Sequence, residues 1–263
     1  MNALFRRLAP RPKSSLPPAF FRSPYPGAPP MTRAIIQRLT TPRRSFTASP
    51  YNSAREAQCS RFIIGFIGLN AAVWAAWQYA KTRDSDGKPR RGLLNFMGAN
   101  FLLSWPAVFH GNIWVMLTSA VSHYDAMHFL ANMLAFFTLT SGLASHPLFT
   151  VTRLVQLTIG AAVSGSTAFL LNHSTGPSRN RRGLGASAIV SGITTTLAFV
   201  APRATVNLFG IIPMPMWFFG LATILYDTYF MGSTSSMIGH DAHLGGAAFG
   251  YLFYVLKLRR GRF

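Results

Sequence analysis

The chain has 263 residues, 49% of them hydrophobic and only 12% charged, about half the charged share of ordinary soluble domains. Its formal net charge of +19 sits in an acid-free leader, in short loops and in the tail. No basic stripe interleaved with aromatics appears, which argues against a nucleic-acid-binding module. The single cysteine, Cys59, excludes an internal disulfide framework and any multi-thiolate metal site.

Residues 1–55 carry ten of the 25 basic residues and no acid; Glu56 is the first acidic side chain. Arg, Ser and Pro dominate, and no continuous apolar core of a secretory signal is present. This is the composition of a mitochondrial transit peptide. The stretch Arg44-Ser45-Phe46-Thr47-Ala48-Ser49 is similar to matrix processing sites. The expected organisation is an import leader and disordered basic segment over 1–59, followed by a membrane domain over 60–263.

Mean hydropathy is +0.25 despite that polar leader, so the remainder must be strongly apolar, as in a polytopic membrane protein. The first expected span is 62–80, nineteen largely apolar residues bounded by Arg61 and Lys81. The next region, 92–122, is apolar but broken by Gly98, Pro106 and Gly111 and dotted with Trp105 and Trp114. It reads as a long interfacial loop with short helices. Further spans are expected near 126–143, 151–171, 187–200, 216–230 and 243–256, which gives an all-α, six-helix bundle. The fourth covers only about 21 Å of helical rise, so its first residue should lie inset from the membrane surface. Irregular backbone at that depth, here Gly183-Leu184-Gly185, is tolerated only beside a protein-lined or water-filled cavity.

Polar groups at membrane depth are functional candidates by default. The second span carries His128 and Asn132 one turn apart, with His123 before it. The fourth opens with Gly185-Ala186-Ser187-Ala188, and the sixth with His240-Asp241-Ala242-His243-Leu244-Gly245-Gly246. The H-x-x-x-N of His128 to Asn132, the G-x-S of Gly185 to Ser187 and the A-H-x-G-G-x-x-x-G of Ala242 to Gly250 resemble, in order and on the expected spans, the motifs of rhomboid intramembrane serine proteases. The resemblance covers roughly residues 62–256, and the basic leader suggests the mitochondrial, presenilin-associated rhomboid-like branch of the inner membrane.

The resemblance implies a Ser–His dyad with no carboxylate, in which Ser187 is nucleophile and His243 general base. His128 and Asn132 would donate to the oxyanion, and no cofactor or metal is implied. Residues four apart share a helix face, which allows that pair to work together. Free N–H groups at a helix start suit a developing negative charge. Gly245, Gly246 and Gly250 are expected to let the sixth helix approach the fourth. The implied partners are the lipid bilayer and transmembrane protein substrates, with no nucleic acid. A chain with the same fold that binds transmembrane clients without cutting them is the alternative.

The chain departs from the family pattern twice. Ala188 follows the nucleophile where Gly is usual, and Ser191 stands where many relatives carry Tyr. Ser191 precedes Gly192 on the same face and is a rival nucleophile, about 6 Å deeper along the helix. His240 and Asp241 are expected in a loop or as a cap, and His123 at the mouth of the site or as an interfacial residue. Asp227 raises the question of an aspartyl protease, but that class also needs G-x-G-D. A site-two metalloprotease needs H-E-x-x-H, which the lone Glu56 cannot supply.

Overall fold

The computed structural model describes residues 50–259 apart from 209, 232, 234, 235 and 237. The basic leader and its processing stretch, 1–49, lie outside the described residues. Helix α1, Pro50–Lys81, is 32 residues long, about 48 Å of rise. The apolar stretch 62–80 occupies only its later part. Among the described residues, helix is thus already present ten residues before the expected boundary at 60. Its first turns are polar and give no apolar signal, yet they are held by tertiary contacts. Arg55 is buried and donates through one guanidinium nitrogen to the carbonyls of Ala144, His146 and Phe149, at 2.7, 3.3 and 2.7 Å. Those carbonyls lie where one helix ends and the chain turns towards the next, so helix-end acceptors that lack intrahelical donors find a cation. Cys59, one turn on, is also buried.

The interfacial region folds as short helices: α2 (Arg91–Phe101), α3 (Trp105–Phe109) and α4 (Val115–Thr118), then a 3-10 turn over Ser119–Val121. Ser104 caps α3 by accepting from the Ala107 N–H, and Pro106 sits in its first turn, where a missing N–H costs nothing. Met97 packs against Val73, Trp77 and Ala80 of α1. The Trp77 indole donates to Ser122 Oγ at 2.8 Å, so the region is tied to α1 at both of its ends.

Two long helices follow, α5 (Ala126–Ser145) and α6 (Val151–Asn172), then the short α7 (Ser187–Val200). By length and composition α1 from Ser53, α5 and α6 are each able to cross a membrane. After α7 the chain makes an antiparallel hairpin, β1 (Thr205–Leu208) with β2 (Ile212–Pro215), in which Thr205 lies opposite Pro215 and Leu208 opposite Ile212. This hairpin was not expected. It is small enough for Pro213 and Pro215, which lack an N–H, to occupy one of its two strands. Helices α8 (Met216–Phe230) and α9 (His240–Phe253) complete the order, the last turn widening to a π-type turn over Tyr254–Leu258.

The arrangement is apolar outside and partly polar within. Met127, Leu130, Leu134 and Phe137 form an exposed stripe on α5, and Trp217, Leu221, Leu225 and Tyr229 another on α8. Asn132, Thr158, Ser166, Thr195, Asp227 and Asp241 are buried. Apolar surface costs nothing in lipid, whereas a polar group there needs an internal partner.

Helix α9 packs most extensively on α7 and α6, and the approach is as close as backbones allow. A Cβ at Gly246 would lie 2.0 Å from the Ala188 carbonyl oxygen, and one at Gly250 2.2 Å from that of Gly192. Gly245 does not face α7 as expected. Its missing Cβ opens towards α6, 2.6 Å from Ala168 Cβ and 2.7 Å from the Ser164 carbonyl oxygen. The Ser164 hydroxyl donates to the Gly245 carbonyl at 2.8 Å. Successive residues on a helix point about 100° apart, so two adjacent glycines serve two different neighbours.

Candidate active site

The segment before α7 is held open by the interfacial region. Leu103 and Gly183 exchange two backbone hydrogen bonds, both 2.8 Å. The Gly185 N–H donates to the Ser119 carbonyl at 2.9 Å, and the Ala186 N–H to His123 Nε2 at 3.2 Å. Gly185 has φ +121°, and a Cβ there would lie 2.7 Å from His128 Cε1. Both the left-handed backbone and the imidazole packed on it demand glycine. Ser187 is then the first residue of α7, and Ala186 before it supplies no side-chain cap. The N–H groups of that first turn are left without intrahelical acceptors, at the positive end of the helix dipole.

His123, expected at the mouth or the interface, is fully buried and acts as the acceptor that fixes Ala186. Burial, and secondly the neighbouring His128, push it down to about 3. It is therefore a neutral ring at any ordinary pH, as an acceptor of a backbone N–H must be.

Asp125 caps α5 by accepting from the His128 N–H at 2.9 Å, and that bond holds its carboxyl below the usual carboxylate range. This starts α5 so that His128 and Asn132 fall one turn apart on the face towards α7. The Asn132 amide donates one hydrogen bond to the His128 carbonyl at 2.9 Å, and its second N–H remains for another acceptor.

On the far side, His243 lies in the first turn of α9 and is partly exposed, while His240 and Asp241 are buried. These two are not loop residues: His240 opens the helix. The Asp241 carboxylate accepts from the Ala242 N–H at 2.8 Å and from Asn172 Nδ2 at 3.0 Å, and lies 3.1 Å from His173 Nδ1. It thus pins the end of α6 to the start of α9. Asp227 on α8 accepts on one oxygen, Oδ1, from His240 Nδ1 at 2.7 Å and His243 Nδ1 at 3.0 Å.

Ser187, His243, His128 and Asn132, with Gly185 and Ala188, line one cavity of about 810 Å³. Ser187 and His243 share it without a direct hydrogen bond, and such bonds commonly close only when substrate binds. Ser191 does not line it. Among the described residues, Asp227, His240 and His243 are the group whose ligand atoms lie near enough together to hold a metal ion. Their 2.7 and 3.0 Å nitrogen–oxygen separations are those of hydrogen bonds; a tetrahedral ion with bonds of about 2.0–2.1 Å would spread its ligands beyond about 3.2 Å.

The sequence model of the Rhomboid domain matches residues 110–260. The chain belongs to the rhomboid family. Relatives include RHOMBOID-like protein 12, mitochondrial, of Arabidopsis thaliana, 30% identical over 76% of this chain and 59% of that protein. The mouse presenilin-associated rhomboid-like protein, mitochondrial, is 27% identical over 78% of this chain and 50% of its own length. Rhomboid protein 1, mitochondrial, of Saccharomyces cerevisiae is 26% identical over 74% and 53%. The chain spans between half and three-fifths of the length of these rhomboids.

Against the rhomboid pattern, Ala188 is accommodated by a gap on another helix. A Cβ built at Gly165 of α6 would lie 2.4 Å from the Ala188 methyl, so that methyl occupies space which α6 leaves empty. Two buried residues at the site were not singled out from sequence for the parts they play. His123 carried only a position before the second span. Asp227 carried a carboxylate inside an apolar run, which is a signal in itself, but its partners lie 13 and 16 residues away on another helix.

Proposed function

We propose that this rhomboid is an intramembrane serine endopeptidase that cuts transmembrane segments of membrane proteins through an acyl-enzyme. The observation that carries the reading is the shared cavity: an uncapped helix start bearing Ser187, open to His243, His128 and Asn132. His243 Nε2 takes the Ser187 proton as Oγ attacks the scissile carbonyl carbon. The oxyanion meets the free N–H groups at the start of α7, with His128 and the second Asn132 N–H as side-chain donors. His243 returns its proton to the leaving amine, and water then attacks the acyl-enzyme by the same route. A substrate helix hides its carbonyls in its own hydrogen bonds, so segments with helix-destabilising residues are the preferred substrates.

The same reading has six spans, with α7, α8 and α9 as the shorter three beside α1, α5 and α6, and α2 to α4 lying at the interface between spans one and two. It places the protein in the mitochondrial inner membrane, with the acid-free leader as import signal. The three relatives above are all named as mitochondrial rhomboids, which supports that address.

The test is labelling of the detergent-solubilised protein with a serine-reactive fluorophosphonate or isocoumarin. The expected result is labelling that is lost in Ser187→Ala and kept in Ser191→Ala. Labelling that survives Ser187→Ala moves the nucleophile elsewhere, to Ser191 if Ser191→Ala abolishes it, whereas a folded wild type that neither probe modifies overturns the reading and leaves a rhomboid that binds clients without cutting them.

A further inference from the structure

A Ser–His dyad needs no third group, yet here a buried carboxylate meets the base. Building on the Ser187–His243 reading above, we infer that Asp227 is a positioning residue that fixes the tautomer and ring orientation of His243.

The argument is one of hydrogen-bond direction. Both imidazole Nδ1 atoms approach the same oxygen, Asp227 Oδ1, at 2.7 Å from His240 and 3.0 Å from His243. A carboxylate oxygen only accepts, so each Nδ1 must carry its hydrogen, and in the neutral ring each Nε2 then presents a lone pair. The His240 end is compatible with the same tautomer. Its Nε2 lies 2.9 Å from Ser236 Oγ, and that hydroxyl oxygen itself accepts from the Ile238 N–H at 3.2 Å. A hydroxyl has one hydrogen and two lone pairs, so it can accept there and still donate to a lone pair on His240 Nε2. With neutral rings, the donors and acceptors from Ile238 through Ser236, His240 and Asp227 to His243 are all matched. At the open end of that chain stands His243 Nε2 with its lone pair unused. That is the atom and the tautomer required to take the proton of Ser187.

Packing makes the arrangement rigid. Asp227 and His240 are buried, whereas His243 is 18% exposed and is the only one of the three in the cavity lining. His240 holds the Asp227 carboxylate from one side, so its Oδ1 is already in place for His243. The imidazolium formed when His243 takes the proton finds a negative charge at hydrogen-bond distance, on a group that has no need to move. Asp227 touches neither substrate nor nucleophile; it acts through His243.

The experiment uses the full chain in detergent, with Asp227→Asn, Asp227→Glu and Ser187→Ala beside wild type. The fluorophosphonate labelling rate and cleavage of a transmembrane peptide are measured together with helix content. Asp227→Asn is expected to lower kcat by about 10²–10⁴-fold with KM within about threefold, as loss of a tautomer-fixing carboxylate does. Asp227→Glu, which keeps the charge, should recover part of the rate. Solid-state NMR of protein carrying ¹⁵N-histidine reads the tautomer directly: His243 carries its hydrogen on Nδ1 in wild type and loses that preference in Asp227→Asn. A folded Asp227→Asn protein with wild-type labelling rate and an unchanged His243 tautomer overturns the assignment. In that outcome loss of labelling in Ser187→Ala still upholds the dyad, and labelling that survives Ser187→Ala removes the dyad itself.

Discussion

Gly246→Ala tests the geometry on which the whole site depends. The new Cβ would lie 2.0 Å from the Ala188 carbonyl oxygen, 2.7 Å from its carbon and 3.0 Å from its Cα. These are backbone atoms in a helix and cannot rotate away. Real Cβ contacts essentially never fall below 3.0 Å, so α9 and α7 must part by about 1 Å at this level. The level is one turn from His243 and one residue from Ser187. Overpacking of this kind costs about 1–3 kcal/mol, and a misplacement of about 1 Å between reacting groups costs about 100-fold in rate. The assay is denaturant unfolding in detergent micelles alongside the fluorophosphonate labelling rate. Gly68→Ala on α1 is the control, because nothing lies within 4 Å of its added Cβ; better helix propensity there adds up to about 1 kcal/mol. The expected result is a Gly246→Ala protein that is less stable and labels about a hundredfold more slowly. If it unfolds and labels as wild type does, α7 and α9 do not abut as described and the close-approach argument fails.

Three other outcomes follow from the same structure. Gly185→Ala combines a left-handed backbone, which costs an L-residue about 1–2 kcal/mol, with a Cβ 2.7 Å from the His128 ring; helix content by circular dichroism should persist while labelling of Ser187 falls at least tenfold. Arg55→Met keeps the apolar stem but removes the guanidinium from three carbonyls, of which, among the described residues, only that of His146 keeps another donor, the Phe149 N–H, and should lower unfolding stability by about 2–4 kcal/mol without a change in labelling rate of the remaining folded protein. Between its ordinary 6.5 and the folded value of about 3, His123 takes up a proton in the unfolded chain before the folded one. Its contribution to stability is therefore complete above pH 6.5 and lost as pH falls towards 3, by about 1.4 kcal/mol per pH unit. His123→Gln should flatten that part of the stability–pH curve, measured by denaturant titration across the range.

The apolar runs and their breaks were legible in the sequence because helix length and side-chain hydropathy are local properties. Ser187 to Val200 and Met216 to Phe230 form helices whose ends coincide with those of the apolar stretches. Composition also placed the polar residues His128, Asn132, Ser187 and His243 in otherwise apolar surroundings, and their spacing carried the family resemblance that the Rhomboid domain match bears out. The start of α1 was not legible. Its first turns are polar, and only the tertiary fold reveals that Arg55 is bound to the far end of α5. The hairpin over Thr205–Pro215 was missed because two four-residue strands produce no periodicity strong enough to outweigh the apolar helices on either side.

By itself, then, the sequence determined which segments are apolar enough for lipid, where Gly and polar residues interrupt them, and which family those interruptions match. All of these follow from properties of single residues and their near neighbours along the chain. Tertiary structure alone decided what those residues meet. It set His123 beneath Ala186, opened Gly165 to the Ala188 methyl, turned Gly245 towards α6 and brought Asp227 to His240 and His243. Each of these is a contact between helices, settled by how their backbones approach and rotate, and no periodicity within one helix encodes the face its neighbour presents.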